Sequence, residues 1–87
     1  MIVAKAPATA WRIIEGEAVI LSMETKVLRG LNPVGSHVWE LIDAQRDVEE
    51  IIGLIVKEFD VTREDAAQDV RGFVQELLDR GLVTPVG

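Results

Sequence analysis

The sequence predicts an α+β domain, a three-stranded antiparallel sheet followed by a three-helix bundle, in the order β-β-β-α-α-α and winged-helix-like in arrangement. Three observations carry that prediction. Short apolar runs separated by tight turns fill the front half of the chain. Apolar residues at helical spacing fill the back half. Between the two, at Leu31-Asn32-Pro33, the chain passes from strand to helix within two residues. Asn is suited to cap a helix with its side-chain oxygen, and Pro suits the first helical position, where no N–H is needed.

The elements follow in order. Residues 1–10 (MIVAKAPATA) lack the continuous apolar core of ~7–15 residues that a signal peptide needs, and are expected to be a flexible or short leading segment, either a frayed tail or a short leading strand. Trp11 to Ile14 is the first strand, and Glu15-Gly16-Glu17 is a turn in which glycine can supply a positive φ. Ala18 to Met23 (AVILSM) is apolar almost throughout and suits the central strand. After a second turn at Glu24-Thr25, Lys26 to Leu31 alternates charged and apolar residues and forms the third strand, at an edge of the meander. In the first helix Val34, Val38, Leu41 and Ile42 share a face flanked by Trp39. Gln45-Arg46 connects it to a second helix opened by Asp47 and Glu50 in a capping-box-like pattern, with Val48, Ile51, Ile52, Ile55 and Phe59 along one face. Gly53 inside it costs about 1 kcal/mol relative to Ala, and a close helix crossing is reason enough to keep it. Thr62 and Asp65 open the third helix, whose broad stripe holds Ala66, Ala67, Val70, Phe73, Val74, Leu77 and Leu78. Arg80 and Gly81 close it. Leu82-Val83 adds a short extended segment, and residues 84–87 are expected to be a tail. One domain, residues 11–83, accounts for the chain.

Composition narrows the function. The 87 residues are 48% hydrophobic and 28% charged, which is globular and not disordered. Nine basic against fifteen acidic residues give a formal charge of −6, the wrong sign for neutralising phosphates. No apolar run approaches the ~20 residues that span a bilayer. There is no cysteine, hence no disulfide, thiol nucleophile or cysteine-bound metal, which fits a cytoplasmic setting.

Catalytic chemistry finds no foothold. His37 is the single histidine and has no Cys or carboxylate partners at ligand spacing. Ser22 and Ser36 stand in no nucleophile context. The acidic pairs Glu49-Glu50 and Glu64-Asp65 lie in first helical turns, where the macrodipole favours negative charge. The glycines form no phosphate-binding pattern. The expectation is a protein without enzymatic activity, metal or cofactor.

Binding remains. An edge strand presents unpaired N–H and C=O groups, and an extended peptide can add itself there. Lys26 and Arg29 have a second explanation, as charges that blunt the edge against aggregation. The third helix has a stripe wide enough for one row to pack the core and another to wall a groove, although both rows could equally be buried. On the pattern alone both alternatives stay open.

The LN step closing a strand, the helix VWELID, the DVEEII helix and the final LLDRGLV resemble the PqqD-like group. These are small domains that recognise leader segments of ribosomally made, post-translationally modified peptides. The resemblance spans roughly Trp11 to Val83. It implies that a precursor's leader lies as a fourth strand along Thr25, Lys26, Val27, Leu28, Arg29 and Gly30. Asp69, Val70, Phe73, Val74 and Leu77 of the last helix would wall the cleft, and Arg71, Lys26 and Arg29 would pair with acidic leader side chains. It also implies a separate maturation enzyme, a radical-SAM protein in PQQ-type systems or a leader peptidase in lasso-type systems. The approach to the third strand reads Ser22-Met23-Glu24-Thr25, without the proline-glutamate-glycine of PQQ-biosynthesis members, and so favours another peptide system such as lasso-peptide maturation. Two other functions compete: a winged-helix DNA-binding regulator and a homo-oligomerising scaffold whose edge strands pair. The first is disfavoured because Glu64, Asp65, Asp69, Glu76 and Asp79 outnumber Arg63, Arg71 and Arg80 on the helix that would read DNA.

Overall fold

Glu15 and Gly16 both adopt positive φ, 53° and 82°, and reverse the chain so that Ile14 pairs directly with Glu17. This two-residue reversal matches the right-handed twist of the strands it joins. In the computed structural model, which describes residues 1–87, it links β2 (Thr9–Ile14) to β3 (Glu17–Ser22), and β4 (Leu28–Gly30) completes a three-stranded antiparallel sheet in the order β2-β3-β4. The second reversal turns on Lys26, at φ 62°, which shortens the third strand of the meander to three residues. Lys26 and Val27 therefore belong to the turn and its exit, not to the strand.

Three helices follow, α1 (Pro33–Leu41), α2 (Val48–Glu58) and α3 (Arg63–Asp79). Their N-terminal caps have the expected chemistry. The side chains of Asn32, Asp47 and Thr62 accept hydrogen bonds from the N–H groups of Gly35, Glu49 and Asp65. The inner face of β3 contributes Ala18 and Ile20 to a core completed by Val38 and Trp39 of α1 with Ile42 just beyond its end, Ile51, Ile52 and Ile55 of α2, and Val70, Val74 and Leu77 of α3. Trp11 meets buried Trp39 edge to face at 6.1 Å, and the Trp39 indole Nε1 has no hydrogen-bond partner.

The leading segment takes the strand alternative, while its pairing partner and the C-terminal tail depart from expectation. Residues 3–5 form β1 (Val3–Lys5), which pairs with β5 (Val83–Pro85) in a separate two-stranded antiparallel sheet. The leading segment is thus built into the fold, β2 starts at Thr9 and not Trp11, and Pro85 lies inside a strand. The physical reason is burial: Val3 and Val83 both sit in the core. Further ties hold the start of the chain, since the Val48 N–H donates to the Met1 carbonyl at 2.8 Å and the N-terminal ammonium pairs with Asp47 at 2.8 Å. That contact holds the Asp47 carboxyl below the usual range, chiefly through the ammonium's hydrogen bond. No helix is long and apolar enough to cross a membrane.

Candidate functional site

The pairing of β4 with β3 decides what its open edge presents. The Ser22 N–H donates to the Val27 carbonyl and the Leu31 N–H to the Ala18 carbonyl, with Arg29 opposite Ile20 between them. In an antiparallel ladder the residues that exchange hydrogen bonds alternate with those that do not. Val27, Arg29 and Leu31 therefore turn backbone groups inward to β3, while Leu28 and Gly30 turn theirs to the open edge. The side chains alternate as well. Arg29 shares the inner face with Ile20, whereas Leu28 lies on the outer face and is 68% exposed.

At the end of this strand α1 is wedged in by one hydroxyl. Ser36 Oγ accepts from the Ala18 N–H at 2.7 Å and donates to the Leu31 carbonyl at 3.3 Å. The hydroxyl thus fixes the N-terminus of α1 against the end of the β3–β4 ladder.

α3 meets both the sheet and the start of α1, and a concavity opens at each meeting. The larger, about 630 Å³, lies between the start of α1 (Asn32, Val34, Gly35, Val38) and the α3 residues Gln68, Asp69, Val70, Gly72, Phe73 and Glu76. The smaller, about 320 Å³, is lined by Ile20 and Ser22 of β3, Thr25 and Val27 of the turn, Arg29 of β4, and Asp79, Arg80 and Leu82 at the other end of α3. Between them Arg29 Nη1 reaches Glu76 Oε1 at 2.6 Å, and Arg80 adds a second guanidinium contact to the same carboxylate oxygen at 3.4 Å. The Arg29 hydrogen bond is the main cause that holds the Glu76 carboxyl below its ordinary range.

The anticipated site residues fall into three groups. Leu28 and Gly30 offer backbone groups at the edge, and Thr25, Val27, Arg29, Asp69, Val70 and Phe73 line one of the two concavities. Val74 and Leu77 do not wall a groove: they are buried, because with Ala66 and Val70 they form the stripe of α3 that packs into the core. Arg71 is also displaced from the site, since it points to α2 and pairs with Glu49. Arg71 and Arg29 both have carboxylates of their own chain as partners, so an acidic ligand group would compete with Glu49 or Glu76 for them. Lys26 remains an exposed turn residue.

Sequence reasoning missed the α1 wall and the α3 positions Gln68, Gly72, Glu76 and Asp79. Stepping three residues on from Asp69 and Phe73 reaches Gly72 and Glu76, and a further three from Glu76 reaches Asp79, so that part of the signal was present. The contribution of α1 was not, because it depends on how the helices cross. His37 stacks edge to face on Phe59 at 5.7 Å, and no group of three or more His, Cys, Asp or Glu side chains is placed to hold a metal ion.

An edge strand with open backbone groups, next to a concavity lined by the sheet and the end of α3, is a surface to which an extended segment can add. Comparison with known proteins agrees on the family. The profile of Coenzyme PQQ synthesis protein D (PqqD) matches residues 17–83, and the chain belongs to this family. It is 29% identical over 70 residues to the PqqA binding protein of Rhizobium meliloti (strain 1021), covering 80% of this chain and 69% of that protein. Among solved structures it resembles TbiB1, determined in complex with the TbiA(beta) leader peptide, with 30% identity, a TM-score of 0.87 and coverage of 97% and 98% of the two chains. The fold also matches a lasso peptide synthetase B1 complexed with the leader peptide, at 18% identity and TM-score 0.86, covering 98% of this chain and all of that one.

Proposed function

We propose that this chain is a non-catalytic recognition domain for the leader region of a ribosomally synthesised precursor peptide. The leader adds as a strand to the β4 edge, and the complex delivers it to a separate maturation enzyme. The single observation that carries this reading is the open edge at Leu28 and Gly30, on a strand whose neighbours Val27 and Arg29 line a concavity shared with the end of α3. Membership of the PqqD family and the likeness to a leader-bound protein at 30% identity support it. The Ser22-Met23-Glu24-Thr25 approach to the strand favours a lasso-type partner, a leader peptidase, over a radical-SAM protein of PQQ biosynthesis. Cytoplasmic action belongs to the same reading, since precursors are made there. The domain's contribution is effective concentration and orientation, not bond chemistry.

The test is fluorescence anisotropy with labelled leader peptides encoded beside this gene, using wild type, Leu28→Pro and Arg29→Pro. The Leu28 N–H faces the open edge, so proline there removes a ligand hydrogen bond and leaves the fold intact. The Arg29 N–H faces β3, so proline there damages the sheet itself. Saturable binding lost in folded Leu28→Pro supports the reading. Equal binding by wild type and Leu28→Pro rules out strand addition at β4.

A further inference from the structure

The two concavities are separated by the Arg29–Glu76 ion pair, which spans from the inner face of β4 to α3. It forms a crossbar between them. Arg29 is held by its place in the ladder opposite Ile20, and Glu76 is held by a second guanidinium, Arg80. A strand added at the β4 edge, the arrangement on which this inference rests, sends every second side chain inward between the sheet and α3. One inward position then lies opposite Arg29. The inward positions two residues before and two residues after it lie opposite Leu31, the neighbour of Asn32 in the larger concavity's lining, and opposite Val27, which lines the smaller.

The spacing agrees with this register. From Gly72, at the middle of the larger concavity's α3 wall, to Asp79 and Arg80 at the smaller one, the helix advances about 11 Å at ~1.5 Å per residue. An extended peptide covers about 13 Å over four residues and only about 7 Å over two. The two concavities thus match inward side chains four residues apart, with the crossbar beneath the one between them.

We infer that the Arg29–Glu76 crossbar determines the specificity of the cleft: it accepts a small, uncharged residue at the central inward position of the bound strand and bulky residues two positions to either side. A large side chain at the centre collides with the paired groups. An acidic one meets the Glu76 carboxylate and must displace it from two guanidiniums. A basic one meets Arg29 and Arg80. Bulky neutral groups at the flanking positions enter 320 Å³ and 630 Å³ of space. The apolar lining Val34, Val38 and Phe73 on one side and Ile20, Val27 and Leu82 on the other suits aliphatic or aromatic side chains.

The experiment is selection from a display library of random decapeptides with wild type, Arg29→Ala and Glu76→Ala, each confirmed folded by circular dichroism, followed by anisotropy on synthetic peptides. The expected wild-type enrichment is a pair of bulky apolar residues four apart with Gly, Ala or Ser midway. Replacing the middle residue by Phe or Glu should weaken binding at least tenfold, and Arg29→Ala or Glu76→Ala should recover most of the loss for Phe. Enriched peptides carrying a large or charged middle residue overturn the inference, as does an unchanged preference in both alanine variants. If enriched peptides also fail to lose affinity for Leu28→Pro, or no peptide is enriched at all, strand addition at β4 falls and this inference falls with it. Loss in Leu28→Pro without any rule at the middle position removes the crossbar alone.

Discussion

Ser36 shows how much one small side chain decides. It is 1% exposed, and its hydroxyl serves two backbone groups at once, the Ala18 N–H and the Leu31 carbonyl. Removing one partner from buried polar groups costs about 1–3 kcal/mol. Ser36→Ala is therefore expected to lower stability by that amount in urea denaturation, and a change within error would mean that the backbone groups find other partners. Glu76 gives a pH prediction. Its carboxyl lies below the ordinary glutamate range, first because of the Arg29 hydrogen bond. The folded protein therefore binds fewer protons there than the unfolded chain. The resulting stabilisation is present above the unfolded value and is lost as pH falls through the folded one. Between about pH 5 and about pH 3, in the carboxylate range, wild type should lose more melting temperature than Glu76→Gln. Parallel curves would show that the ion pair contributes nothing to folding. Asp43 and Asp47 are also held low, by backbone and terminal hydrogen bonds, but they are common to both proteins and cancel in the comparison.

The helices test packing against binding. Leu77 is fully buried in the core, whereas Phe73, half-buried, lines the larger concavity. Leu77→Ala should cost about 2–5 kcal/mol of stability, as truncations of buried leucine do. Phe73→Ala should cost less stability and weaken leader binding instead, and calorimetry with anisotropy on the two variants separates these outcomes. The same distinction limits what the sequence could say about α3. Its apolar stripe was plain, but Val74 and Leu77 share the core-facing row with Ala66 and Val70, and a helix in isolation does not say which row meets a neighbour. At the start of α1, by contrast, local chemistry was sufficient. Asn32 Oδ1 accepts from the Gly35 N–H at 2.7 Å, and Pro33 takes the first turn. Asn32→Ala should cost about 1 kcal/mol. A Cβ at Gly35 would stand 3.0 Å from that same Asn32 oxygen. Gly35→Ala should thus disturb the cap, with a loss of stability that Asn32→Ala makes redundant in a double-mutant cycle.

Across the whole molecule the termini act as a clasp. β1 and β5 pair with each other, the Ala6 N–H donates to the Leu82 carbonyl, and Val86 donates to Ile2, so the two ends of the chain close on the start of α2. A frayed leading segment would tolerate a charge at Val3. In the clasp Val3→Asp buries an unpaired carboxylate, and the melting temperature should fall steeply. No change in melting, or fast amide exchange at residues 3–5 in the wild type, would mean that the clasp does not hold in solution. The clasp was not legible in the sequence, because two three-residue segments 80 positions apart carry no local signal for one another.

What the sequence determined by itself was local. The turn at Glu15-Gly16, the caps at Asn32, Asp47 and Thr62, the helical stripes and the order of the meander all follow from residues within a few positions of one another. What only the tertiary structure decided depends on pairing across distance. The β3–β4 register turns Val27 and Arg29 inward and offers the backbone of Leu28 and Gly30. The helix crossing makes α1 a wall of the site, and Arg29 finds Glu76 forty-seven residues away. A strand's alternation names two faces without choosing between them. Burial chooses, and burial belongs to the assembled fold.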